Sequence, residues 1–136
     1  MELKINHLQH VGLPVTDIRR SVAFYESLGF RDTMSREFVH QGETVRVAMM
    51  EKSGVVLELY QLGPADLEEI RSRRNGYIDH VAFDVDDIDT TYRILKENGF
   101  VPLEPEPVEL PFFQRGMKFF FILGPDGERL EFSQIL

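Results

Sequence analysis

Two stretches of the chain alternate apolar and polar positions in the same phase. Val11, Leu13 and Val15 lie two apart, as do Val81, Phe83 and Val85, which is the period of a strand with one covered face. Each run passes through an aspartate, Asp17 or Asp87, into apolar positions at helical spacing. These are Ile18, Val22 and Tyr25 in one stretch and Ile88, Tyr92 and Leu95 in the other. Aspartate at that point is a natural N-cap, because its carboxylate accepts from an otherwise orphaned backbone N–H. Gly29 and Gly99 then end helices of about three turns, since glycine takes the left-handed C-terminal conformation without a Cβ penalty.

Three further strand-like runs follow each helix. In the first half they are Phe30 to Phe38, Thr44 to Glu51 and Val55 to Leu62, broken at Gln41-Gly42 and Lys52-Ser53-Gly54. In the second half they are Phe100 to Glu106, Met117 to Leu123 and Arg129 to Ile135, with Gly124-Pro125-Asp126-Gly127 as the last turn. The halves are copies of one another. His10 to Phe30 aligns without a gap on His80 to Phe100, with identity at His10/His80, Val11/Val81, Val15/Val85, Asp17/Asp87, Ile18/Ile88, Gly29/Gly99 and Phe30/Phe100. Downstream, Gly54, Leu57, Glu58 and Gln61 match Gly127, Leu130, Glu131 and Gln134. The pattern predicts an α+β fold of two βαβββ repeats, one domain made of modules at about residues 1–63 and 76–136. Pro64 to Arg74 reads as a short helical linker. Its basic end, Arg71 to Arg74, complements the helix C-terminus and water, with anion binding as the alternative.

Pleating separates chemistry from packing. His10 shares its face with Leu8 and Gly12, and His80 shares its face with Ile78 and Ala82, whereas the alternate valines, Leu13 and Phe83 face the helix. Glu58 points away from Leu57 and Leu59, and Glu131 away from Leu130 and Phe132. A carboxylate within so apolar a strand is costly to bury unless paired or coordinated. Inherited scaffold explains matching valines and glycines, but not matching His and Glu on the polar face of both halves. Two imidazoles and two carboxylates suit one divalent ion, Ni, Zn, Co, Mn or Fe, with positions left for water or substrate. If the two sheets curl toward each other, His10, Glu58, His80 and Glu131 meet at one centre. His7 and His40 have no repeat partners and read as surface residues.

Composition removes other function classes. With 23 acidic against 15 basic side chains and a net charge of -8, the chain is a poor match for a phosphate backbone. It has no cysteine, which excludes disulfides, thiolate metal sites and Cys nucleophiles. No apolar run approaches membrane-spanning length, and the opening MELKINHLQH lacks a secretory h-region, so a cytoplasmic protein is expected. The stretch EPEPVELPFFQRG, Glu104 to Gly116, is rich in proline and then aromatic, and is expected to loop over the mouth of the site. There Phe112, Phe113 and Met117 would form an apolar wall and Arg115 would hold an anionic group; the alternative is a hydrophobic plug beside a solvated arginine.

The stretches HVGLPVTDIRRSVAFYESLGF, VVLELYQL, DHVAFDVDDIDTTYRILKENGF and GPDGERLEFSQ resemble the vicinal oxygen chelate superfamily. That group includes glyoxalase I, methylmalonyl-CoA epimerase, fosfomycin and bleomycin resistance proteins and extradiol dioxygenases. The resemblance covers nearly the whole chain and implies a curled mixed sheet around a metal-binding cavity. The order His10, Glu58, His80, Glu131 is similar to that of glyoxalase I. Dioxygenases and fosfomycin resistance proteins typically use two His and one Glu, the epimerase branch commonly has Gln at the second position, and bleomycin-binding members lack the set. The resemblance therefore implies a lactoylglutathione lyase-like lyase or isomerase, which moves a proton through a metal-stabilised enediolate on a small substrate with vicinal oxygens. It favours Glu131 as both base and ligand, with Glu58 able to exchange roles, and implies a homodimer. An epimerase acting next to a thioester and a drug-sequestering binding protein are the alternatives. No glutathione-contact motif is matched, and the basic residues form no clear phosphate-binding set for CoA.

Overall fold

The computed structural model describes residues 1–73, 78–123 and 129–136. Eight strands and three helices are formed among them: β1 (Leu8–Pro14), α1 (Ile18–Ser27), β2 (Arg31–His40), β3 (Glu43–Lys52), β4 (Val55–Gln61), α2 (Pro64–Ser72), β5 (His80–Asp84), α3 (Ile88–Glu97), β6 (Val108–Leu110), β7 (Met117–Leu123) and β8 (Arg129–Ile135). The chain is thus α+β and follows the βαβββ order twice, as its sequence predicts. It divides into two compact units, His10–Asp79 and Met1–Gln9 together with His80–Leu136. The expected turn at Gly124 to Gly127, and Arg74 of the linker, lie outside the described residues.

In the first unit the strand order is β2-β3-β4-β1, with β1 parallel to β4 and the other pairs antiparallel. Two-residue hairpins join β2 to β3 and β3 to β4. Gln41 and Gly42, and again Ser53 and Gly54, all have positive φ, the geometry that matches the twist of the flanking strands. Ala48, Met50 and Leu59 form the core under α1, joined by Leu13, Val15, Ile18, Val22 and Tyr25. The helix covers the apolar face predicted for it and leaves the His10 face to other uses.

The second unit repeats the plan in the order β5-β8-β7-β6, with β5 parallel to β8. Val85, Ile88, Leu95, Phe120, Ile122 and Phe132 pack together beneath α3, and the Phe120 and Phe132 rings stack at 5.3 Å. Burying each such side chain is worth about 1.5–3 kcal/mol. The leading segment belongs to this unit: Asn6 N donates to Asp84 O, Asp84 N donates to His7 O, and Leu3 packs on the core.

One expected strand is misplaced. Phe100 to Glu106 forms no ladder, and the edge strand is Val108–Leu110 instead. Pro102 and Pro105 each remove a backbone donor from the earlier segment. What ties it to β7 is the backbone bond from Leu103 N to Phe121 O at 2.8 Å, while the Glu104 carboxylate accepts from Phe121 N at 2.7 Å. Tyr92 on α3 pins the same segment, donating from its hydroxyl toward the Glu104 and Pro105 carbonyls.

Candidate functional site

Each unit holds one buried imidazole–carboxylate pair at the positions related by the repeat. In the first, the register sets Gly12 opposite Glu58, so β1 and β4 present His10 and Glu58 on the same face. His10 Nε2 lies 3.7 Å from Glu58 Oε2, with side-chain exposures of 1% and 11%. In the second unit Ala82 sits opposite Glu131, which puts Glu131 on the face of His80. There Nε2 and Oε2 are 3.1 Å apart and both side chains are 4% exposed. The second pair is the tighter, and its carboxylate is the more deeply enclosed of the two.

Neighbouring side chains fix the His80 pair. The Phe121 ring meets the His80 imidazole edge-on at 5.3 Å, and Phe119 meets Phe121 in the same manner at 5.5 Å. The Arg129 guanidinium lies 4.1 Å from the centre of the Phe121 ring, and the register sets Arg129 opposite His80. Aromatic walls keep water from the pair and strengthen the electrostatics within it. The donors fit a divalent cation: a buried nitrogen beside a buried carboxylate oxygen, twice, with no cysteine in the chain to offer a thiolate. Carboxylates buried at such positions are retained when they are paired or coordinate a metal.

The residues expected around the substrate differ in exposure. Phe112 and Met117 are buried at 3% and 1% exposure, Phe113 is half-buried and Arg115 is exposed. Phe113 has a φ of 59°, a left-handed backbone that is unusual for a bulky side chain. Gly116, with a φ of 102°, follows it into β7. His7 and His40 are exposed, as expected, and His7 Nδ1 lies 3.8 Å from Asp84 Oδ2.

Sequence reading missed three polar residues. Gln61 Oε1 accepts from Ile18 N at 2.8 Å, and Gln134 Oε1 accepts from Ile88 N at 3.0 Å. These repeat-related glutamines tie the last strand of each module to the first turn of its helix. Their recurrence in the alignment was the available signal. The third is Ser133, two residues beyond Glu131 on the same face of β8 and wholly buried.

A family model described as Glyoxalase/Bleomycin resistance protein/Dioxygenase superfamily matches residues 6–132. The chain is 29% identical over 131 residues to the uncharacterized protein YwbC of Bacillus subtilis (strain 168), an alignment spanning 93% of this chain and 96% of that protein. A solved structure of a hypothetical protein from Bacillus halodurans C-125 superposes with a TM-score of 0.77 at 28% identity, over 98% of this chain and 96% of that one. Methylmalonyl-CoA epimerase from Mycobacterium tuberculosis superposes with a TM-score of 0.79 at 20% identity, over 100% and 92%. At that identity the likeness to the epimerase is one of fold.

Proposed function

Because the chain belongs to the Glyoxalase/Bleomycin resistance protein/Dioxygenase superfamily, we propose that it is a divalent-metal-dependent enzyme of the glyoxalase I type. In this reading it is a lyase or isomerase that moves a proton between adjacent carbons of a small substrate with vicinal oxygens. The observation that carries this reading is the recurrence of a buried His–Glu pair at equivalent positions of both modules. His10, Glu58, His80 and Glu131 would together hold one ion such as Ni, Zn, Co, Mn or Fe. When bound, the ion supplies Lewis acidity that lowers the pKa of a C–H next to a coordinated carbonyl.

The side chains divide the remaining work. Glu131 is the base that takes the proton from one carbon and returns it to its neighbour, because its carboxylate is the more enclosed and so the less stabilised by water. Glu58, with the more exposed side chain and the longer approach to its histidine, balances the charge of the ion. His80 holds Glu131 in place, and Phe121 restricts the motion of that imidazole. A base that returns the proton to the same carbon would instead give epimerisation.

Metal stoichiometry is the decisive test. After chelator stripping, equilibrium dialysis against Ni, Co, Zn or Mn should return one ion per chain. At a hundredfold excess over Kd the ion should stabilise the fold by about 2.7 kcal/mol, a rise of several degrees in Tm. Two ions per chain would mean that the pairs act separately, and no bound ion would overturn the reading. Hemithioacetals of methylglyoxal with different thiols, assayed beside CoA thioesters, then separate the lyase from the epimerase.

A further inference from the structure

Ser133 is 0% exposed, and its Oγ has no hydrogen-bond partner. Its backbone is satisfied, with the carbonyl accepting from Val85 N at 3.0 Å, so the discrepancy lies in the side chain alone. The two register neighbours of Ser133 are Asp84 on β5 and Phe119 on β7. Asp84 directs its oxygens elsewhere, to Asn6 Nδ2 at 2.8 Å and Gln9 Nε2 at 3.2 Å, and Phe119 has nothing polar to offer. Leaving a buried hydroxyl unpaired costs roughly 1–3 kcal/mol.

Position gives the hydroxyl a use. Alternation along β8 sets Ser133 on the face of Glu131, one pleat away, a distance of about 7 Å along the strand. We propose that Ser133 is a substrate-orienting residue, whose Oγ–H donates to an oxygen of the bound small molecule beside the Glu131 carboxylate. The inference rests on the metal-dependent reading above and deepens it by naming a residue that discriminates among substrates. A substrate bearing an oxygen at that point satisfies the orphaned hydroxyl, whereas an analogue lacking it leaves the cost in place. A site built to hydrogen-bond an oxygen rejects the analogue that lacks it far more strongly than an apolar pocket rejects a size mismatch.

The test uses the full chain loaded with Ni(II), with oxalate as a small vicinal-oxygen probe. Isothermal titration and thermal melts are run on wild type, Ser133→Ala and Ser133→Cys. The Ala variant should melt at or above the wild-type temperature, since it removes an unpaired buried group. It should bind nickel unchanged and bind oxalate roughly three- to tenfold more weakly, the equivalent of one hydrogen bond. The Cys variant, with similar size but a weak donor, should lose oxalate affinity in the same way. Unchanged oxalate affinity in either variant overturns the assignment, whatever the melting temperature. A lower Tm with unchanged oxalate affinity identifies an ordinary buried-water contact. If wild type takes up nickel but not oxalate, Ser133 loses its role while the metal site stands. If wild type takes up no nickel, the functional reading fails first and the role of Ser133 fails with it.

Discussion

The two glutamates differ in a way that residue type alone does not reveal. Glu131 Oε2 lies 3.1 Å from its histidine and Glu58 Oε2 lies 3.7 Å from its own. A carboxylate held close to its partner and away from water loses more when its charge is removed, because the low-dielectric surroundings screen it less. Glu131→Gln should therefore weaken nickel binding by at least the roughly 10- to 100-fold seen when supporting partners of metal sites are lost. Glu58→Gln should weaken it less, as both variants keep the shape of the side chain and should remain folded. Competition dialysis against a chelator of known affinity checks the ranking, and equal losses would return the two residues to interchangeable roles. This asymmetry was hidden in the sequence, where the halves match residue for residue at His10/His80 and Glu58/Glu131. The shared face of His10 with Glu58, and of His80 with Glu131, was legible, because alternation fixes which face a strand residue takes. The unpaired state of Ser133 was not, since a serine in a strand reads as unremarkable until its neighbours are known to look elsewhere.

Helix starts show how far local pattern carries at the scale of an element. Asp17 and Asp87 cap α1 and α3 as their positions predict, accepting from Arg20 N and Thr90 N at 3.1 and 3.0 Å. The second tie at each start, from Gln61 to Ile18 N and from Gln134 to Ile88 N, spans more than forty positions of sequence and is invisible to any local rule. The same holds for the edge strand. Residues Phe100 to Glu106 carry the apolar character of a strand, but Pro102 and Pro105 deny it a ladder, and the Glu104 carboxylate meets the Phe121 N–H that a neighbouring strand would have taken. The two kinds of cap on α3 can be told apart by pH. Thr90, bonding through its backbone N–H and its hydroxyl, holds the Asp87 carboxyl below its ordinary value. A carboxylate depressed in the folded state contributes stability above its unfolded pKa of about 3.9 and loses it as pH falls through the folded value. The stability gap between wild type and Asp87→Ala should thus be full near neutral pH and close below about pH 4. Gln134 does not titrate, and Ile88 is fully buried, so Gln134→Ala should cost roughly 1–3 kcal/mol with no such acid dependence. Urea unfolding of both variants between pH 3 and 7 measures the contrast, and a Gln134→Ala gap that closed in acid would contradict this account.

The duplication sets the course of the whole chain, yet the units do not coincide with the halves of the sequence. Residues Met1–Gln9 precede the first module but belong to the unit that contains His80–Leu136. The physical ties are specific. Asn6 and His7 exchange backbone bonds with Asp84, each at 2.9 Å, and Asn6 Nδ2 reaches both Asp84 and Asp86, the latter at 2.7 Å. Lys4 pairs with Asp86, and Leu3 adds its side chain to the core of Val85, Phe120 and Phe132. Exposed ion pairs contribute little, so the leading segment holds through its backbone bonds and the partly buried leucine. Together these amount to about 2–4 kcal/mol. Tolerance to truncation follows from such contacts and not from nearness to a terminus. Removing residues 1–7 should therefore destabilise the module farther along the sequence. Amide hydrogen exchange should quicken in β5 and α3 of the shortened chain, while β3 and β4 keep their protection. Quickening confined to β3 and β4 would show that the segment supports the module it adjoins in sequence, against the bonding described above. The expected outcome also bears on the candidate site, because β5 opens with His80. A chain lacking its leader should hold nickel less tightly although every proposed ligand is still present.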